Sequence, residues 1–280
     1  MQHGRRPEGT TWSISTFAAP SSPGPRLSRP DEVRLVPLEI GRLDADLLDI
    51  TGSNGRVLMP VPAWLIEHPK GLVLFDTGLH ADLRNDRSRL RGVFESAFTI
   101  DLPDGEDLTA RLSAAGYATS DIDVVVFSHL HFDHCGGTQE LPDARLIVQE
   151  AEWRAAHHPR LLDVGLYNLA DFELGHDHQL IDGTHDVFGD GTITCIPTSG
   201  HTRGHQSLRV ELGSGPVVLT ADCIYFRSMY DQMKVPPTGA DLAAQLNSMR
   251  DLRKLEHDGC RLLFGHDAEQ FHSLPAGGLS

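Results

Sequence analysis

Histidine and aspartate alternate in the segment 129–134, whose sequence is HLHFDH. The segment directly follows the apolar run 124–127, which is typical of a buried strand. A strand that ends in such a loop can direct several imidazole and carboxylate side chains at one point. Imidazole nitrogens are ligands for zinc, cobalt, iron or manganese, and a carboxylate adds charge and allows higher coordination numbers. The spacing therefore predicts a metal site.

Three later apolar runs are each followed within a few residues by one potential ligand, namely His201, Asp222 and His266. Because α/β folds commonly build their sites where strands end at one edge of a sheet, we expect these side chains to converge on the segment 129–134. The seven candidate ligands are His129, His131, Asp133, His134, His201, Asp222 and His266. Seven ligands exceed the need of one metal ion but suffice for two ions that share a carboxylate, so the pattern predicts metal-assisted hydrolysis.

The elements that must position these ligands alternate along the chain. Short β-branched runs bounded by Gly, Pro, Asp or Ser predict strands, and helical spacing of apolar residues predicts helices at 108–115, 150–158 and 238–257. For the last helix, Thr238 and Asp241 resemble a capping box. The alternation favours one α/β domain over 31–280, in which helices cover the sheets. The stretch 1–30 is rich in Ser, Pro, Arg and Gly and predicts a flexible N-terminal arm.

Composition excludes several classes of partner. The 280-residue chain carries a formal net charge of −15 and has no Lys/Arg-rich run, which argues against a nucleic-acid partner. It has no apolar run of 18 residues, so we expect no membrane insertion. Its four cysteines are scattered without a C-x-x-C pair, which is typical of reduced thiols and predicts a cytoplasmic protein.

The order and spacing of the candidate ligands resemble those of the metallo-β-lactamase superfamily over roughly residues 33–270. The resemblance implies an αββα sandwich, in which two mixed sheets are flanked by helices. It also implies that His129, His131 and His201 hold one metal, that Asp133, His134 and His266 hold the second, and that Asp222 bridges them. The segment 75–78 (FDTG) is similar to the family's strand-end aspartate segment, whose carboxylate supports the ligand loop.

Within the superfamily, the chain is most similar to the N-acyl homoserine lactone lactonases. The segments 128–137 (SHLHFDHCGG) and 200–208 (GHTRGHQSL) resemble their two histidine motifs, although Arg203 stands where proline is usual. Tyr225 follows Asp222 by three residues, as the substrate-orienting tyrosine of these lactonases does. The resemblance implies a structural role for His205 and not a ligand role, because the set of seven ligands is complete without it.

The resemblance implies that the enzyme opens the lactone ring of N-acyl homoserine lactones by attack of a metal-bridging hydroxide. Tyr225 then polarises the ester carbonyl, and Asp133 passes a proton to the departing alkoxide. Phe94 and Phe98 are spaced by about one helical turn and resemble residues that line the acyl pocket. They fit equally well as core residues of a helix.

Two alternatives share this set of ligands. One is a hydrolase of another small lactone or ester, such as a pyridoxolactonase, which only the shape of the pocket distinguishes. The other is a persulfide dioxygenase with a single iron, which the full second set of ligands argues against. The cofactor expected from the ligands is a pair of divalent ions, with Zn²⁺ first among the metals they permit. A homodimer is a further possibility.

Overall fold

The computed structural model describes residues 32–51, 54–90, 98–163 and 165–280. Within these ranges the strands are β1 (Arg34–Asp46), β2 (Arg56–His68), β3 (Gly71–Phe75), β4 (Phe98–Asp101), β5 (Val124–Val126), β6 (Arg145–Gln149), β7 (His178–Ile181), β8 (His185–Asp186), β9 (Ile193–Pro197), β10 (Gln206–Leu212), β11 (Gly215–Leu219) and β12 (Arg261–Leu263). The helices are α1 (Leu47–Thr51), α2 (Leu108–Ala114), α3 (Phe132–Cys135), α4 (Glu150–His157), α5 (Arg227–Gln232), α6 (Leu242–His257) and α7 (Ala268–His272).

The strands form two mixed sheets. The first has seven strands in the order β4-β1-β2-β3-β5-β6-β7, and the second has five in the order β12-β11-β10-β9-β8. In the first sheet β3, β5, β6 and β7 run parallel, whereas β1, β2 and β4 pair antiparallel. In the second sheet β11 and β12 run parallel and the other pairs are antiparallel. The parallel strands bring several carboxyl ends to the same edge of the molecule.

The main core lies between the two sheets. Phe75 and Val126 of the first sheet belong to the same buried cluster as Leu208 and Leu219 of the second, and each is at most 1% exposed. Burying one such side chain contributes roughly 1.5–3 kcal/mol relative to exposure. The sheets are therefore held face to face by apolar side chains that alternate along their strands.

Helices cover the outer faces of both sheets. Leu112 of α2 and Ala156 of α4 belong to a cluster on the outer face of the first sheet. Met249 and Leu252 of α6 pack with Val218 on the outer face of the second sheet. The order of layers is helix, sheet, sheet, helix, which confirms the predicted αββα sandwich.

The strands predicted over 124–127 and before His201, Asp222 and His266 are present as β5, β9, β11 and β12, but sequence reasoning missed the long strand β1. Its pattern is interrupted by Pro37 and Gly41, and the register of its pairing with β2 shifts between Glu39 and Arg42. Gly41 has a φ of +75°, and an added Cβ would lie 2.9 Å from a Leu102 methyl carbon. The bulge breaks the period-two pattern that would have indicated one continuous strand.

Two helical predictions were wrong in detail. The last long helix begins at Leu242 rather than near Thr238, because the Asp241 carboxylate accepts a hydrogen bond from the Ala244 N–H at 2.9 Å and caps it. Phe98 does not lie on a helix: it is the first residue of β4 and pairs with Ala45 of β1.

The remaining predictions about organisation concern the N-terminus and membranes. The arm predicted over 1–30 lies outside the described residues, so it and the domain boundary at 31 stay predictions. None of the helices in the described ranges is long and apolar enough to cross a membrane.

Candidate metal centre

The seven predicted ligands meet at one edge of the sandwich. The segment 129–134 follows β5, His201 follows β9, Asp222 follows β11 and His266 follows β12. All seven residues are buried, with at most 8% of the surface of each exposed. Their ligand atoms form overlapping groups in which every atom lies within 4.8 Å of the others.

The first group consists of His129, His131 and His201. The Nδ1 atom of His131 lies 3.1 Å from Nε2 of His129 and 3.1 Å from Nε2 of His201. Burial lowers the pKa of His129 and His131 well below the usual range, and neighbouring imidazoles lower it further. The rings are therefore neutral at physiological pH, which is the form that binds a metal.

The second group consists of Asp133, His134 and His266. The Oδ2 atom of Asp133 lies 3.6 Å from Nε2 of His134 and 4.0 Å from Nε2 of His266. Asp133 and His134 are adjacent in the short helix α3, whereas His266 lies in the loop after β12. This group differs from the first in having a carboxylate among its own three members.

Asp222 lies between the two groups and faces each with a different oxygen. Its Oδ2 is 3.3 Å from Nε2 of His201, and its Oδ1 is 3.2 Å from Nε2 of His134 and 3.0 Å from Nε2 of His266. Burial alone would raise the pKa of Asp222, but the surrounding imidazoles outweigh burial and lower it well below the usual range. Asp222 thus faces histidines of both groups at once.

The arrangement of nitrogen atoms fits a metal better than a network of hydrogen bonds. His131 Nδ1 is shared by two imidazole nitrogens, and a single N–H cannot donate well to both. Nε2 of His134 is buried, and its 3.2 Å contact with Asp222 Oδ1 does not have the geometry of a hydrogen bond. Ligand nitrogens of a tetrahedral zinc ion lie about 3.3 Å apart, close to the separations found in the first group. The residues and the family reported below support a site for two divalent cations.

Hydrogen bonds at the remote ring nitrogens orient three of the histidines. His134 donates from Nδ1 to Asp76 at 2.8 Å, and His266 donates from Nδ1 to the Pro60 carbonyl at 2.9 Å. His129 Nδ1 lies 2.9 Å from the Ser128 hydroxyl, which itself donates to Asp76 at 2.7 Å. Each bond leaves the Nε2 lone pair directed into the site.

Tyr225 lies next to one histidine of each group. Its ring centroid is 5.8 Å from that of His201 and 5.1 Å from that of His266. Burial raises the pKa of Tyr225 well above its usual value, and the carboxylates of Asp222 and Asp133 raise it further. Its hydroxyl is therefore protonated and can donate a hydrogen bond to an oxygen above the site.

A cavity of about 440 Å³ opens beside these groups. Phe98 lines it, whereas Phe94 lies outside the described residues. The other apolar lining side chains, which sequence reasoning largely missed, are Leu43, Ala45, Ile50, Met59, Phe132, Leu166 and Pro236. Most come from β1, β2 and the loops, and no short motif marks them. The cavity is thus polar at the ligands and mostly apolar away from them, where Asp46 and Thr238 also line it.

Two residues of the second histidine motif, His205 and Arg203, lie outside the groups of candidate ligands. His205 is buried, and its Nδ1 lies 2.9 Å from the Thr198 hydroxyl. It is not a member of the groups of candidate ligands found among the described residues. Arg203 is exposed, so the departure from proline at that position places a charged side chain in solvent rather than against the site.

The sequence is similar to known lactonases over most of its length. It is 33% identical over 257 residues to the N-acyl homoserine lactonase AttM of Azorhizobium caulinodans, which covers 87% of this chain and 96% of that relative. It is also 33% identical over 234 residues to an N-acyl homoserine lactonase of a Bacillus species, which covers 81% of this chain and 90% of the relative.

Solved structures agree with the sequence relatives. A variant of AiiA from Bacillus thuringiensis, with N-decanoyl-L-homoserine bound at its active site, matches with a TM-score of 0.77 and 29% identity and covers 86% of this chain and 96% of its own. An N-acyl homoserine lactone hydrolase with the product N-hexanoyl-L-homoserine at its catalytic metal centre matches with a TM-score of 0.76 and 29% identity, covering 87% and 96%. The family model of the metallo-beta-lactamase superfamily matches residues 56–266. This chain therefore belongs to the metallo-beta-lactamase superfamily and, within it, to the family of the N-acyl homoserine lactonases.

Proposed function

We propose that this enzyme hydrolyses the lactone ring of N-acyl homoserine lactones, with Zn²⁺ as the metal in both positions. The observation that carries the proposal is the position of Asp222 between two groups of ligands, beneath a protonated tyrosine and beside an apolar cavity. The ring would lie over the ligands and the acyl chain in the cavity. When bound, two divalent cations lower the pKa of a water molecule and polarise an ester carbonyl.

Tyr225 acts on the substrate carbonyl. Its ring lies beside one histidine of each group, and the high pKa of Tyr225 keeps the proton on the hydroxyl through the reaction. A donor that meets the negative charge developing on the carbonyl oxygen stabilises the transition state more than the ground state.

The Tyr225→Phe variant should lower kcat about a hundredfold, in line with the loss of one such donor, while its metal content stays that of the wild type. The matched control is Tyr230→Phe, because Tyr230 is a buried tyrosine whose hydroxyl donates to Glu256, away from the ligands. Steady-state kinetics with metal analysis checks both variants. An unchanged rate for Tyr225→Phe would remove this residue from the mechanism.

In this proposal Asp133 carries a proton to the leaving alkoxide. Burial raises the pKa of Asp133, although nearby imidazoles oppose that rise. Its side chain lines the cavity and lies next to His134 and His266. A carboxyl group with a raised pKa binds and releases a proton more readily near neutral pH than an exposed one does.

The apolar cavity is proposed to bind the acyl chain. Each methylene transferred from water contributes about 0.8 kcal/mol, which corresponds to roughly a fourfold gain in kcat/KM for each added carbon until the cavity is full. Phe98 is half-buried in the wall, with its ring centroid 5.9 Å from that of Phe132.

The Phe98→Ala variant should lower kcat/KM for a decanoyl substrate about tenfold, because a partly buried phenylalanine contributes roughly 1.4 kcal/mol of apolar contact. The same variant should change the value for a butanoyl substrate little, because a short chain does not reach the wall. Kinetics on both substrates measures the ratio. Equal losses on the two chains would place Phe98 outside the acyl pocket.

Acid release on lactones of several chain lengths tests the proposed function. Opening a lactone produces a carboxylic acid, so a pH indicator reports turnover directly. We expect release that depends on acyl length, from protein that carries two zinc ions per chain. Two bound metals with no reaction on any chain length would redirect the search to other lactones and esters, such as pyridoxolactone. One iron per chain and sulfur oxygenation would favour a dioxygenase.

A cytoplasmic location and a homodimer remain predictions. All four cysteines are buried free thiols, which accords with a reducing compartment. Fractionation of cells and light scattering of the purified enzyme measure the two properties.

A further inference from the structure

Glu152 is a buried carboxylate that lies outside the groups of candidate ligands. It lies in the first turn of α4 and is 0% exposed. Its Oε1 accepts hydrogen bonds from the Leu130 N–H at 3.1 Å and the Tyr167 hydroxyl at 3.0 Å. Its Oε2 accepts from the Thr202 hydroxyl at 2.6 Å and the Gly204 N–H at 3.1 Å. One buried side chain thus receives four donors from three separate segments.

These donors flank the ligands of the first group. Leu130 lies between His129 and His131, while Thr202 follows His201 directly. Tyr167 packs its ring on His131 with centroids 4.8 Å apart, and the two residues also form an isolated β-bridge. Glu152 therefore ties together the two loops that must converge for this group to form.

The α4 turn also lies directly against the loop that carries His201. An added Cβ on Gly204 would come within 2.0 Å of the Glu152 backbone nitrogen, so the approach requires glycine. This contact leaves the loop little freedom to shift while Glu152 is in place.

Two ligands of the first group lack the hydrogen bond at the remote ring nitrogen that orients the other histidines. Nε2 of His131 and Nδ1 of His201 are buried without a hydrogen-bond partner in the described part of the chain. By contrast, the remote nitrogens of His129, His134 and His266 are bonded to Ser128, Asp76 and the Pro60 carbonyl. The positions of His131 and His201 therefore depend on how their backbone loops are held.

We propose that Glu152 is the positioning residue for the metal held by His129, His131 and His201, and that it leaves the metal held by Asp133, His134 and His266 unaffected. The inference rests on the two-metal site of the proposed function, but not on the identity of the substrate. On this inference, one of the two ions has a supporting residue of its own outside the ligands. Asp76 differs, because it contacts His134 of the second group directly and His129 of the first group through Ser128.

The chemistry requires a carboxylate at this position. All four partners donate, and one backbone N–H faces each oxygen. A glutamine would turn its NH₂ group toward either the Leu130 or the Gly204 N–H, and neither can rotate to become an acceptor. Glu152→Gln therefore breaks one of the two loop contacts while keeping almost the same volume.

Metal binding measured without substrate tests the inference. We expect folded Glu152→Gln protein to bind one Zn²⁺ with wild-type affinity and the other roughly 10–100-fold more weakly, as is typical when a residue that supports ligands is changed. Tyr167→Phe and Thr202→Val each remove one hydroxyl from Glu152 and should weaken the same ion by a smaller factor. These two variants decide the question if Glu152→Gln does not fold.

A double-mutant cycle identifies which ion is affected. Glu152→Gln should further weaken the remaining ion in a His266→Ala background but have little effect in a His201→Ala background. The matched control is Asp171→Asn, a buried carboxylate paired with Arg89, which should leave both affinities unchanged. Equal weakening of both ions, or two unchanged affinities, would overturn the inference. Absence of lactonase activity would not, because the readout is metal affinity alone.

Discussion

The Asp222→Asn variant should hydrolyse lactones at about a thousandth of the wild-type rate or less. It should also retain fewer than two metals per chain. Asp222 is the residue whose two oxygens face different groups, at 3.3 Å from His201 and at 3.0–3.2 Å from His266 and His134. An amide keeps the shape but loses the negative charge and one of the two acceptor atoms.

The size of this effect follows from the role of charge. Metal-assisted stabilisation of a transition state contributes several kcal/mol, and about 4 kcal/mol corresponds to a factor of roughly a thousand in rate. Two cations held on either side of Asp222 would repel each other, and its carboxylate would offset that repulsion, so its removal should weaken both sites together. Loss of activity and loss of metal should therefore occur in the same variant.

Metal analysis and kinetics on the same preparation check this prediction. Asp231→Asn is the matched control, because Asp231 is an exposed aspartate in an ion pair with Arg227 on α5. The control should keep full activity and two metals. Full activity in Asp222→Asn itself would contradict the assignment of a shared carboxylate.

The Asp76→Asn variant should bind metal about 10–100-fold more weakly, although Asp76 is not itself a predicted ligand. Its carboxylate accepts from the Ser128 N–H and hydroxyl, both at 2.7 Å, and from His134 Nδ1 at 2.8 Å. If the amide oxygen keeps the backbone bond, the NH₂ group faces His134. The ring then has to accept at Nδ1 and carry its proton on Nε2, which removes the lone pair that binds the metal.

Backbone strain does not explain the weaker metal binding expected of Asp76→Asn. Asp76 has a φ of +62°, in the left-handed region, and asparagine tolerates that region as well as aspartate does. Ser128→Ala is the control, because it removes one partner of Asp76 but leaves the bond to His134. It should weaken metal binding less than Asp76→Asn does. Titration with Zn²⁺ ranks the variants. Wild-type affinity in Asp76→Asn would mean that the tautomer of His134 is set by something else.

The sequence was most informative where a ligand stands next to a strand. Asp133 and His134 are close in the chain to His129, so their proximity needs little of the fold. His201 and Asp222 converge because strands β9 and β11 end at the same edge, and this was predictable from the run of apolar residues before each. Local pattern therefore predicted the metal centre and the alternation of the fold.

The cavity and the supports behind the ligands depend on tertiary packing instead. Leu43 and Met59 reach the cavity from β1 and β2, which are far from the ligands in sequence. Glu152 looks like an ordinary acidic residue in the first turn of a helix, a position where such residues are common for reasons of helix stability. Only the packing of α4 against two loops shows that its carboxylate is buried.

Stepwise metal reconstitution tests the central claim most directly. The enzyme is stripped of metal with a chelator, and activity on an N-acyl homoserine lactone is followed as Zn²⁺ is added in known amounts. A site with two groups of ligands and a shared Asp222 predicts that acid release rises until two equivalents are bound and then stays constant. Full activity at one equivalent, or activity in the metal-free enzyme, would contradict a two-metal lactonase.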